Sequence, residues 1–374
     1  MLLRLDGSGR RLDVDGSQQG PFVGPAESVA ADEDVTLVWR GSDAQSLPTS
    51  LILKLPNLTK YKEDPDTVEF TIRCHNEEVL FYSSFDRDCP LPLPKVYCWA
   101  AIAPDADHAK HGGFLLMEDL SSKAKLADHF KGLSLQQAKN VAACYARLHA
   151  RCMSEGAQQW LRRFQPDEWA SHVAMLRKGV EQLSELRADL FGPTKAVLLE
   201  RCTQRAFQEA RDQYRELGLP LVLTDNDLWT ANILFKINEN GDVTDDVAAL
   251  IDWQMSKLGS LAFDLCFVLS TSVTSELRRK HTPEILRHYH SELVKCCPET
   301  ESGCGVTLAH VEAAYQLCFP LVAIIDQFST VDLTTSAAVV GEEGLETTKR
   351  NVEELYDRAR AMAEDAMELI RKAR

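Results

Sequence analysis

Residues 221–254, LVLTDNDLWTANILFKINENGDVTDDVAALIDWQ, contain two apolar runs separated by a turn signal. The runs are Ile233–Ile237 and residues 247–251, and Asn240-Gly241 lies between them. An Asn-Gly pair between two apolar runs is typical of a hairpin, because these residues tolerate the positive φ angles that tight turns require. We therefore predict an antiparallel hairpin with a polar, acidic loop.

Oxygen-bearing side chains flank this predicted hairpin. Asp227 and Asn232 come before its first strand, and Asp252 follows its second strand. Neighbouring antiparallel strands lie roughly 5 Å apart, so we expect all three side chains at the same end of the hairpin. Carboxylate and amide oxygens suit Mg²⁺ that shares its coordination shell with water and phosphates. The pattern therefore predicts a divalent-cation pocket, with Asn232 and Asp252 as metal ligands.

The spacing D-x-x-x-x-N is weak evidence alone, because Asp and Asn in polar loops are usually turn or cap residues. With the hairpin and the Ile251-Asp252 ending attached, the segment resembles choline/ecdysteroid-type and aminoglycoside-type small-molecule kinases. The resemblance is nearest to their nematode and insect kinase-like branch. Those families read H-G-D-L-W-x-x-N in the loop and I-D-W-Q or I-D-F-Q after the hairpin. The matching residues here are Asp227, Leu228, Trp229, Asn232 and residues 251–254.

This resemblance implies an α+β class and a bilobal protein kinase-like fold. The small N-lobe would be an antiparallel sheet with one helix, and the larger C-lobe would be mainly helical. Residues 1–34 carry no clear pattern and are assigned to neither lobe. We expect a nucleotide-binding N-lobe at residues 35–118 and a catalytic and substrate-binding C-lobe at residues 119–374.

Residues 35–39 and 51–55 read as strands, and Lys54 lies in the second. Kinase-like small lobes use a strand-borne lysine to hold phosphates and pair it with a helical glutamate. Residues 75–85, HNEEVLFYSSF, carry a helical apolar face, and the family pattern N-x-E-V-x-F-Y places that glutamate on Glu78. The alternative is a snorkelling edge lysine and an unrelated surface carboxylate.

Residues 94–99 and 113–117 predict two further strands, and the second runs into Glu118-Asp119-Leu120. The family's interlobe hinge reads M-E-D-L. The resemblance therefore implies that the backbone of Glu118 and Leu120 binds the adenine edge. The alternative is a plain strand end with a capping Asp119.

The C-terminal part is predicted to be largely helical. Ser134 and Gln137 form a plausible capping box, and helix continues to about residue 217. We expect Gly259-Ser260 to open another helix, in which Asp264 interrupts an apolar run. A carboxylate in such surroundings needs buried donors. In the resembling families this residue braces the catalytic loop, so Asp264 is interpreted as structural support.

The implied chemistry is ATP-dependent phosphoryl transfer to the hydroxyl of a small molecule, with ATP and Mg²⁺ as cofactors. Asp227 would take or orient the hydroxyl proton, and Lys54 would hold the phosphates. Trp229 and Trp253 are candidates to contact a quaternary ammonium or a flat apolar ring, although buried tryptophans are core residues at least as often. The acceptor would be a steroid, xenobiotic or choline-like alcohol.

Two departures from the family pattern motivate an alternative. The family's His-Gly before the catalytic Asp is Asp225-Asn226 here, and residues 27–34, ESVAADED, lack the glycine of a phosphate-covering loop. A second carboxylate close to Asp227 would raise one of the two pKa values. The alternative function is a pseudokinase, a ligand- or partner-binding module without turnover.

Composition limits the class of protein. Hydrophobic content of 45% and charged content of 26% are those of a soluble globular protein, and a formal charge of -15 argues against nucleic acid or an anionic membrane as a partner. The eleven cysteines form no C-x-x-C pair, which fits reduced thiols in a cytoplasmic protein. The longest apolar run, residues 317–325, is too short to span a bilayer.

Overall fold

A computed structural model describes residues 2–6, 10–15, 35–40, 50–58, 64–85, 89–103, 112–297, 305–335 and 345–372. The chain divides into two compact units. The first comprises Met1–Lys125 and Ala248–Ser256, and the second comprises Leu126–Val247 and Lys257–Arg374. These units are defined by contacts between residues and not by what they bind. The predicted division at residue 118 into a nucleotide-binding lobe and a catalytic lobe therefore stays a prediction. The glycine-free segment at 27–34 lies outside the described residues.

The first unit contains a four-stranded antiparallel sheet in the order β1-β4-β6-β5. Its strands are β1 (Leu2–Asp6), β4 (Ser50–Lys54), β5 (Val96–Ala100) and β6 (Phe114–Glu118). Two more strands, β2 (Arg10–Asp15) and β3 (Val35–Arg40), pair in parallel. A short strand, β7 (Ala124–Leu126), lies at the boundary of the two units. The predicted strands around 35–39, 51–55, 94–99 and 113–117 are confirmed within a residue or two.

One helix, α1 (Pro65–Ser84), accompanies this sheet. Asp64 caps its first turn, and Asn76 exchanges two hydrogen bonds of 2.8 and 2.9 Å with the backbone of Ile102. The His75 ring lies so close to the chain just before β6 that a Cβ at Gly113 would be 2.2 Å from its Nε2 atom. These contacts fix the rotation of α1 and turn Glu78 inward, where it is 1% exposed.

The segment Ala248–Ser256 completes the first unit from far along the chain. The Leu250 N–H donates to the Pro92 carbonyl at 2.9 Å. The indole of Trp253 stacks on the Phe81 ring with 3.9 Å between centroids and 3° between planes. Both rings are fully buried, so this stack anchors the neighbouring Asp252 to α1.

The second unit is mainly helical. Its first long helix begins with the predicted capping box, because Ser134 and Gln137 each bind the other's backbone N–H, at 2.9 and 3.0 Å. The helices are α2 (Leu135–Met153), α3 (Gln158–Leu161), α4 (Val173–Leu186), α5 (Ala188–Arg201), α6 (Gln204–Glu216), α7 (Phe263–Thr271), α8 (Ser275–Cys296), α9 (Leu308–Thr335) and α10 (Leu345–Lys372).

The α9 helix corrects the expectation that its apolar run is too short to span a bilayer. The helix has 28 residues and an 18-residue window of mean hydropathy 1.6, so by length and composition alone it is long enough. However, 56% of that window is buried inside the protein, where α9 packs against α4, α7 and α10. This burial favours a core helix, for which the same apolar composition is expected.

The predicted hairpin is confirmed as β9 (Ile233–Ile237) and β10 (Val243–Leu250). Its turn spans five residues, in which the Asn238 N–H donates to the Asp242 carbonyl and the Gly241 N–H donates to the Asn238 carbonyl. Gly241 has φ 81°, the left-handed conformation that glycine adopts without strain.

The expectation that Gly259-Ser260 opens a helix is wrong. Residues Lys257–Gly259 instead form β11, which pairs antiparallel with β8 (Val222–Thr224), and the helix begins at Phe263. A Cβ at Gly259 would lie 3.0 Å from the Thr224 hydroxyl, so glycine here permits close strand packing. This strand pair delivers the chain to the loop at residues 225–232.

Candidate active site

In the first unit, the Lys54 ammonium lies between two carboxylates. Its Nζ atom is 2.6 Å from Glu78 Oε2, and it also donates to Asp252 Oδ1. The Lys54 side chain is 20% exposed and that of Asp252 28%, so both reach solvent while Glu78 does not. The Lys54–Glu78 contact is present as expected, whereas the contact with Asp252 was not anticipated.

The electrostatics of this cluster keep the lysine charged. Burial lowers the pKa of Lys54, but the charges of Glu78 and Asp252 outweigh it and the pKa is raised. Burial also raises the pKa of Glu78 to about 7, against the opposing charge of Lys54. A fixed ammonium beside a half-buried carboxylate is therefore presented at the end of β4.

Asp252 has φ 64°, an uncommon conformation for a residue other than glycine. Non-glycine residues held in this region persist where the surroundings determine them, often at functional sites. Here the adjacent Trp253 is buried, and its indole N–H donates to the Leu250 carbonyl at 3.3 Å. One oxygen of Asp252 is bound to Lys54, and its other oxygen is of the kind that suits a hard cation.

Some backbone groups of the predicted hinge, residues 118–120, are already hydrogen-bonded within the protein. The Glu118 N–H donates to the Lys95 carbonyl at 2.8 Å. The Leu120 carbonyl accepts from the N–H groups of Lys123 and Ala124, both at 2.9 Å. The Glu118 N–H and the Leu120 carbonyl are therefore already paired, and adenine binding at this segment stays a prediction.

In the second unit, Asp264 binds the loop that follows β8. Its two oxygens accept from the backbone N–H groups of Asp225 and Asn226, both at 3.0 Å. Asn226 has φ 65°, and Asn is among the residues that best tolerate this conformation, which explains why it can replace the family's glycine. Its side chain accepts from Trp169 at 3.1 Å and donates to Thr224 at 2.8 Å.

Asp225 is fully buried beside this brace. It accepts from the Tyr145 hydroxyl at 2.9 Å and from the Asp227 N–H at 3.2 Å. Burial, followed by the charges of Asp264 and Asp227, raises its pKa well above the ordinary value. Burial therefore favours the protonated form of Asp225 beside Asp227.

Asp227 and Asn232 lie side by side in the same loop. The Asn232 side chain, 5% exposed, donates through Nδ2 to the Asp227 carbonyl at 2.8 Å and lies 3.4 Å from Asp227 Oδ2. With its nitrogen turned toward Asp227, Asn232 keeps its amide oxygen as a possible ligand atom. Asp227 itself is half-buried.

The two tryptophans differ in environment. Trp229 is half-buried, and its ring meets His129 edge to face at 5.2 Å. Burial lowers the pKa of His129 to about 4, so this neighbour is neutral. Trp253 is fully buried. It is therefore in the core, which was the alternative to substrate contact in the sequence analysis.

The donor types at the predicted metal ligands fit Mg²⁺. Among the described residues, no group of three or more His, Cys, Asp and Glu side chains could hold a metal. Mg²⁺ does not require such a cluster, because one or two protein oxygens and substrate phosphates commonly complete its shell. The metal roles of Asn232 and Asp252, and their predicted gathering, stay predictions.

Sequence reasoning missed Tyr145 and Trp169. Tyr145 has the spacing of a buried face of α2, which indicates burial but not that its hydroxyl binds Asp225, 80 positions away. Trp169 belongs to no motif, and its bond to Asn226 spans 57 positions. The available signal was Asn226 itself: where the family has glycine, this chain has a polar side chain that must find hydrogen-bond partners when it is buried.

Solved structures that match the backbone of this chain include choline kinase from Cryptosporidium parvum Iowa II. The match has a TM-score of 0.49 and 13% identity, and covers 87% of this chain and 84% of that one. Plasmodium vivax ethanolamine kinase matches with a TM-score of 0.43 and 14% identity, over 83% of this chain and 75% of that one.

Two Caenorhabditis elegans proteins are similar in sequence. An uncharacterized kinase-like protein is 25% identical over 301 residues, which are 76% of this chain and 75% of that protein. An uncharacterized oxidoreductase is 24% identical over 248 residues, 65% of this chain but 30% of the longer protein. The model of the ecdysteroid kinase-like family matches residues 40–301. This match, with the small antiparallel sheet unit and the larger helical unit, confirms the kinase-like resemblance and the α+β kinase-like fold: the chain belongs to the ecdysteroid kinase-like family.

Proposed function

We propose that this protein transfers a phosphoryl group from ATP to a hydroxyl of a small molecule. The observation that carries the proposal is the Lys54 ammonium, held at 2.6 Å from buried Glu78 and also bound to Asp252. Two carboxylates fix the position of the cation at the end of a strand. A fixed, partly exposed ammonium is suited to phosphate oxygens, since phosphoryl-transfer catalysis consists mainly of positioning and charge neutralisation.

The adenine would bind to the backbone after β6. The Glu118 carbonyl is an acceptor and the Leu120 N–H is a donor, a pair complementary to the amino group and ring nitrogen of adenine. Magnesium, when bound with ATP, would neutralise charge on the phosphates. The Asn232 amide oxygen and a carboxylate oxygen of Asp252 are the atoms proposed to hold it.

Asp227 is proposed to orient the acceptor hydroxyl and receive its proton. The loop supports this role in two ways. Asp264 fixes the backbone immediately before Asp227 through the N–H groups of Asp225 and Asn226. Asp225 Oδ1 also accepts the Asp227 N–H at 3.2 Å and so helps to fix the backbone of Asp227 itself.

These observations favour an enzyme over a pseudokinase. The pseudokinase alternative rests on Asp225 and Asn226 in place of the family's His and Gly, and on the glycine-free segment at 27–34, which lies outside the described residues. Asn226 adopts the left-handed backbone conformation, and Asp225 accepts hydrogen bonds from Tyr145 and from the Asp227 N–H. Both substitutions therefore fit the loop without disrupting its hydrogen bonds. The acceptor class proposed is a steroid, xenobiotic or choline-like alcohol, with half-buried Trp229 as a candidate contact.

The test is a transfer assay on the full chain with Mg²⁺, γ-labelled ATP and a panel of steroids, choline analogues and aminoglycosides. We expect label on at least one alcohol, and loss of transfer in Asp227→Asn. The matched control is Asp246→Asn, whose side chain is 67% exposed in β10.

Nucleotide binding is measured in parallel as the rise in Tm on adding Mg-ATP. We expect Asp227→Asn to keep this rise. A wild-type protein without any nucleotide-dependent rise would contradict the proposal. A rise without transfer to any acceptor, unchanged by Asp227→Asn, would instead support the pseudokinase.

A further inference from the structure

Two buried carboxylates accept three consecutive backbone N–H groups, the last of which belongs to Asp227. Asp264 accepts from Asp225 and Asn226, both at 3.0 Å. Asp225 Oδ1 then accepts from Asp227 itself at 3.2 Å. Both carboxylates are fully buried. The peptide group of Asp227 is therefore held by Asp225, and its position depends on what fixes the Asp225 side chain.

The other oxygen of Asp225 is bound by a tyrosine of α2. The Tyr145 hydroxyl donates to Asp225 Oδ2 at 2.9 Å, and the tyrosine is also fully buried. The two oxygens of the carboxyl group thus meet two different donors. Rotation about the Cβ–Cγ bond of Asp225 would break at least one of these bonds. The hydroxyl of Tyr145 therefore restricts the side chain that holds the Asp227 N–H.

The ring of Tyr145 has a fixed setting of its own. It meets the His149 ring edge to face, with 5.9 Å between centroids and 67° between planes. Burial lowers the pKa of His149 to about 3, so this neighbour is uncharged. The α2 helix also packs against α8 and against β8, which leads into the loop. The position of the hydroxyl is therefore set by a packed helix and not by the loop.

A purely structural role is the alternative, because a buried tyrosine hydroxyl usually finds a hydrogen-bond partner. The arrangement favours more than that. Only one side chain, Asp225, separates the Tyr145 hydroxyl from the Asp227 N–H, and each of its oxygens takes one of the two donors. A displacement of about 1 Å in a reacting group can cost roughly 100-fold in rate. A contact this close to Asp227 is therefore expected to affect catalysis as well as stability.

We infer that Tyr145 is a positioning residue for phosphoryl transfer: through Asp225 it holds the Asp227 backbone N–H, and with it the direction of the Asp227 carboxylate. This inference rests on the proposed function. In this role Tyr145 touches neither the nucleotide nor the acceptor. Loss of its hydroxyl should therefore slow the transfer step without weakening the binding of ATP.

The test removes only the hydroxyl, in Tyr145→Phe. Steady-state release of ADP from Mg-ATP is measured on the full chain, with each compound of the transfer panel as acceptor and with water alone. We expect kcat to fall about tenfold and KM for Mg-ATP to stay within about twofold, because the change displaces Asp227 only. Rates are expressed per nucleotide-binding site, so that a smaller folded fraction is not counted as a lower kcat.

Tyr289→Phe is the matched control. Tyr289 is fully buried in α8, and its hydroxyl lies 2.7 Å from His149 Nδ1. This variant removes the same group from a buried tyrosine and leaves the Tyr145–Asp225 bond in place. We therefore expect kcat and KM to stay within about twofold of the wild-type values.

A double-mutant cycle tests whether Tyr145 acts through Asp225. Asp225→Ala removes the acceptor of the Tyr145 hydroxyl and the acceptor of the Asp227 N–H together. In this background Tyr145→Phe should lower kcat by less than about twofold, whereas it lowers kcat about tenfold in the wild-type background.

Hydrogen–deuterium exchange of the Asp227 amide reads the geometry without nucleotide. The exchange is followed by mass spectrometry on the full chain. It should be faster in Tyr145→Phe than in wild type, because the acceptor of this N–H is no longer fixed. It should be unchanged in Tyr289→Phe.

The outcomes separate this inference from the proposed function. A wild type that releases no ADP with any acceptor would remove the proposed function, and this inference with it. With an active wild type, an unchanged kcat in Tyr145→Phe would overturn the inference alone. So would an equal loss in Tyr289→Phe, a parallel rise in KM, or a tenfold loss that persists in Asp225→Ala. If Asp225→Ala does not fold, unaltered exchange of the Asp227 amide in Tyr145→Phe would still overturn it.

Discussion

Asp264 accepts a hydrogen bond of 3.0 Å from the backbone N–H of Asn226, a residue held at φ 65°. A second oxygen of Asp264 binds the preceding N–H in the same way. One buried carboxylate thus fixes two consecutive peptide groups next to Asp227. The loop geometry thus depends on this brace as well as on a residue at position 226 that tolerates positive φ.

Removal of the brace should therefore cost stability. In Asp264→Ala two buried N–H groups lose their acceptor, and we expect the free energy of unfolding to fall by about 2–5 kcal/mol. Urea denaturation measures this loss. Asp212→Ala, at a 66% exposed side chain of α6, is the control and should change stability by less than about 0.5 kcal/mol. Equal effects of the two substitutions would contradict the assignment.

The raised pKa of Asp225 predicts a dependence of stability on pH. Folding raises the pKa of this carboxyl well above its ordinary value, so the folded state keeps a proton that the unfolded state releases above about pH 4. Stability is then greatest at low pH on this account and falls as pH rises toward the folded pKa. Asp225→Asn mimics the protonated side chain and removes this contribution.

We therefore expect the free energy of unfolding to fall less steeply with pH in Asp225→Asn than in wild type. The two slopes should differ by about 1.4 kcal/mol per pH unit, which corresponds to one bound proton, over the pH range in which Asp225 stays protonated in the folded wild type. Urea denaturation between pH 5 and 8 measures both slopes. Parallel slopes would show that Asp225 is already ionised in the folded protein.

Arg358 in α10 gives a prediction about the C-terminal helix. Its guanidinium, 3% exposed, donates to the carbonyls of His129 and Phe130 at 2.8 Å and of Thr271 at 3.0 Å. Arg358→Met leaves these carbonyls without their donor and should lower the free energy of unfolding by about 3 kcal/mol or more. Arg350→Met, at an exposed position of the same helix, should have little effect by the same denaturation measurement.

Lys54→Met tests the proposed phosphate contact separately from folding. Without the ammonium, Glu78 is left buried and should take up a proton, since burial already raises its pKa to about 7. We expect a folded protein whose Tm no longer rises with Mg-ATP. Lys236→Met, whose side chain is 59% exposed, should keep the full rise. A nucleotide-dependent rise retained in Lys54→Met would rule out this phosphate contact.

Features set by neighbouring residues could be predicted from the sequence. The hairpin follows from Asn240-Gly241 between two apolar runs, and the start of α2 follows from Ser134 and Gln137, because each depends on a few residues close together. The contact of Lys54 with Glu78 required the family resemblance, since nothing local distinguishes it from two surface charges.

Features that depend on distant partners could not be predicted. Asp252 was assigned to a metal, and its bond to Lys54 crosses 198 positions. The start of α7 was misplaced because Gly259 has a packing role opposite Thr224 that only the strand pair reveals. The pocket lined by Phe207, Phe263 and Leu321 likewise combines residues from separated helices, whose individual patterns indicate only burial.

The stack of Trp253 on Phe81 also bears on the order in which the protein is made. All other residues of the first unit precede position 126, yet Ala248–Ser256 must be added to complete it. A nascent chain that has emerged only to Lys125 therefore lacks the indole that covers Phe81. More than a hundred further residues must leave the ribosome before Trp253 can shield that ring. The first unit therefore cannot complete its packing until residues 126–247, which belong to the second unit, have also been synthesised.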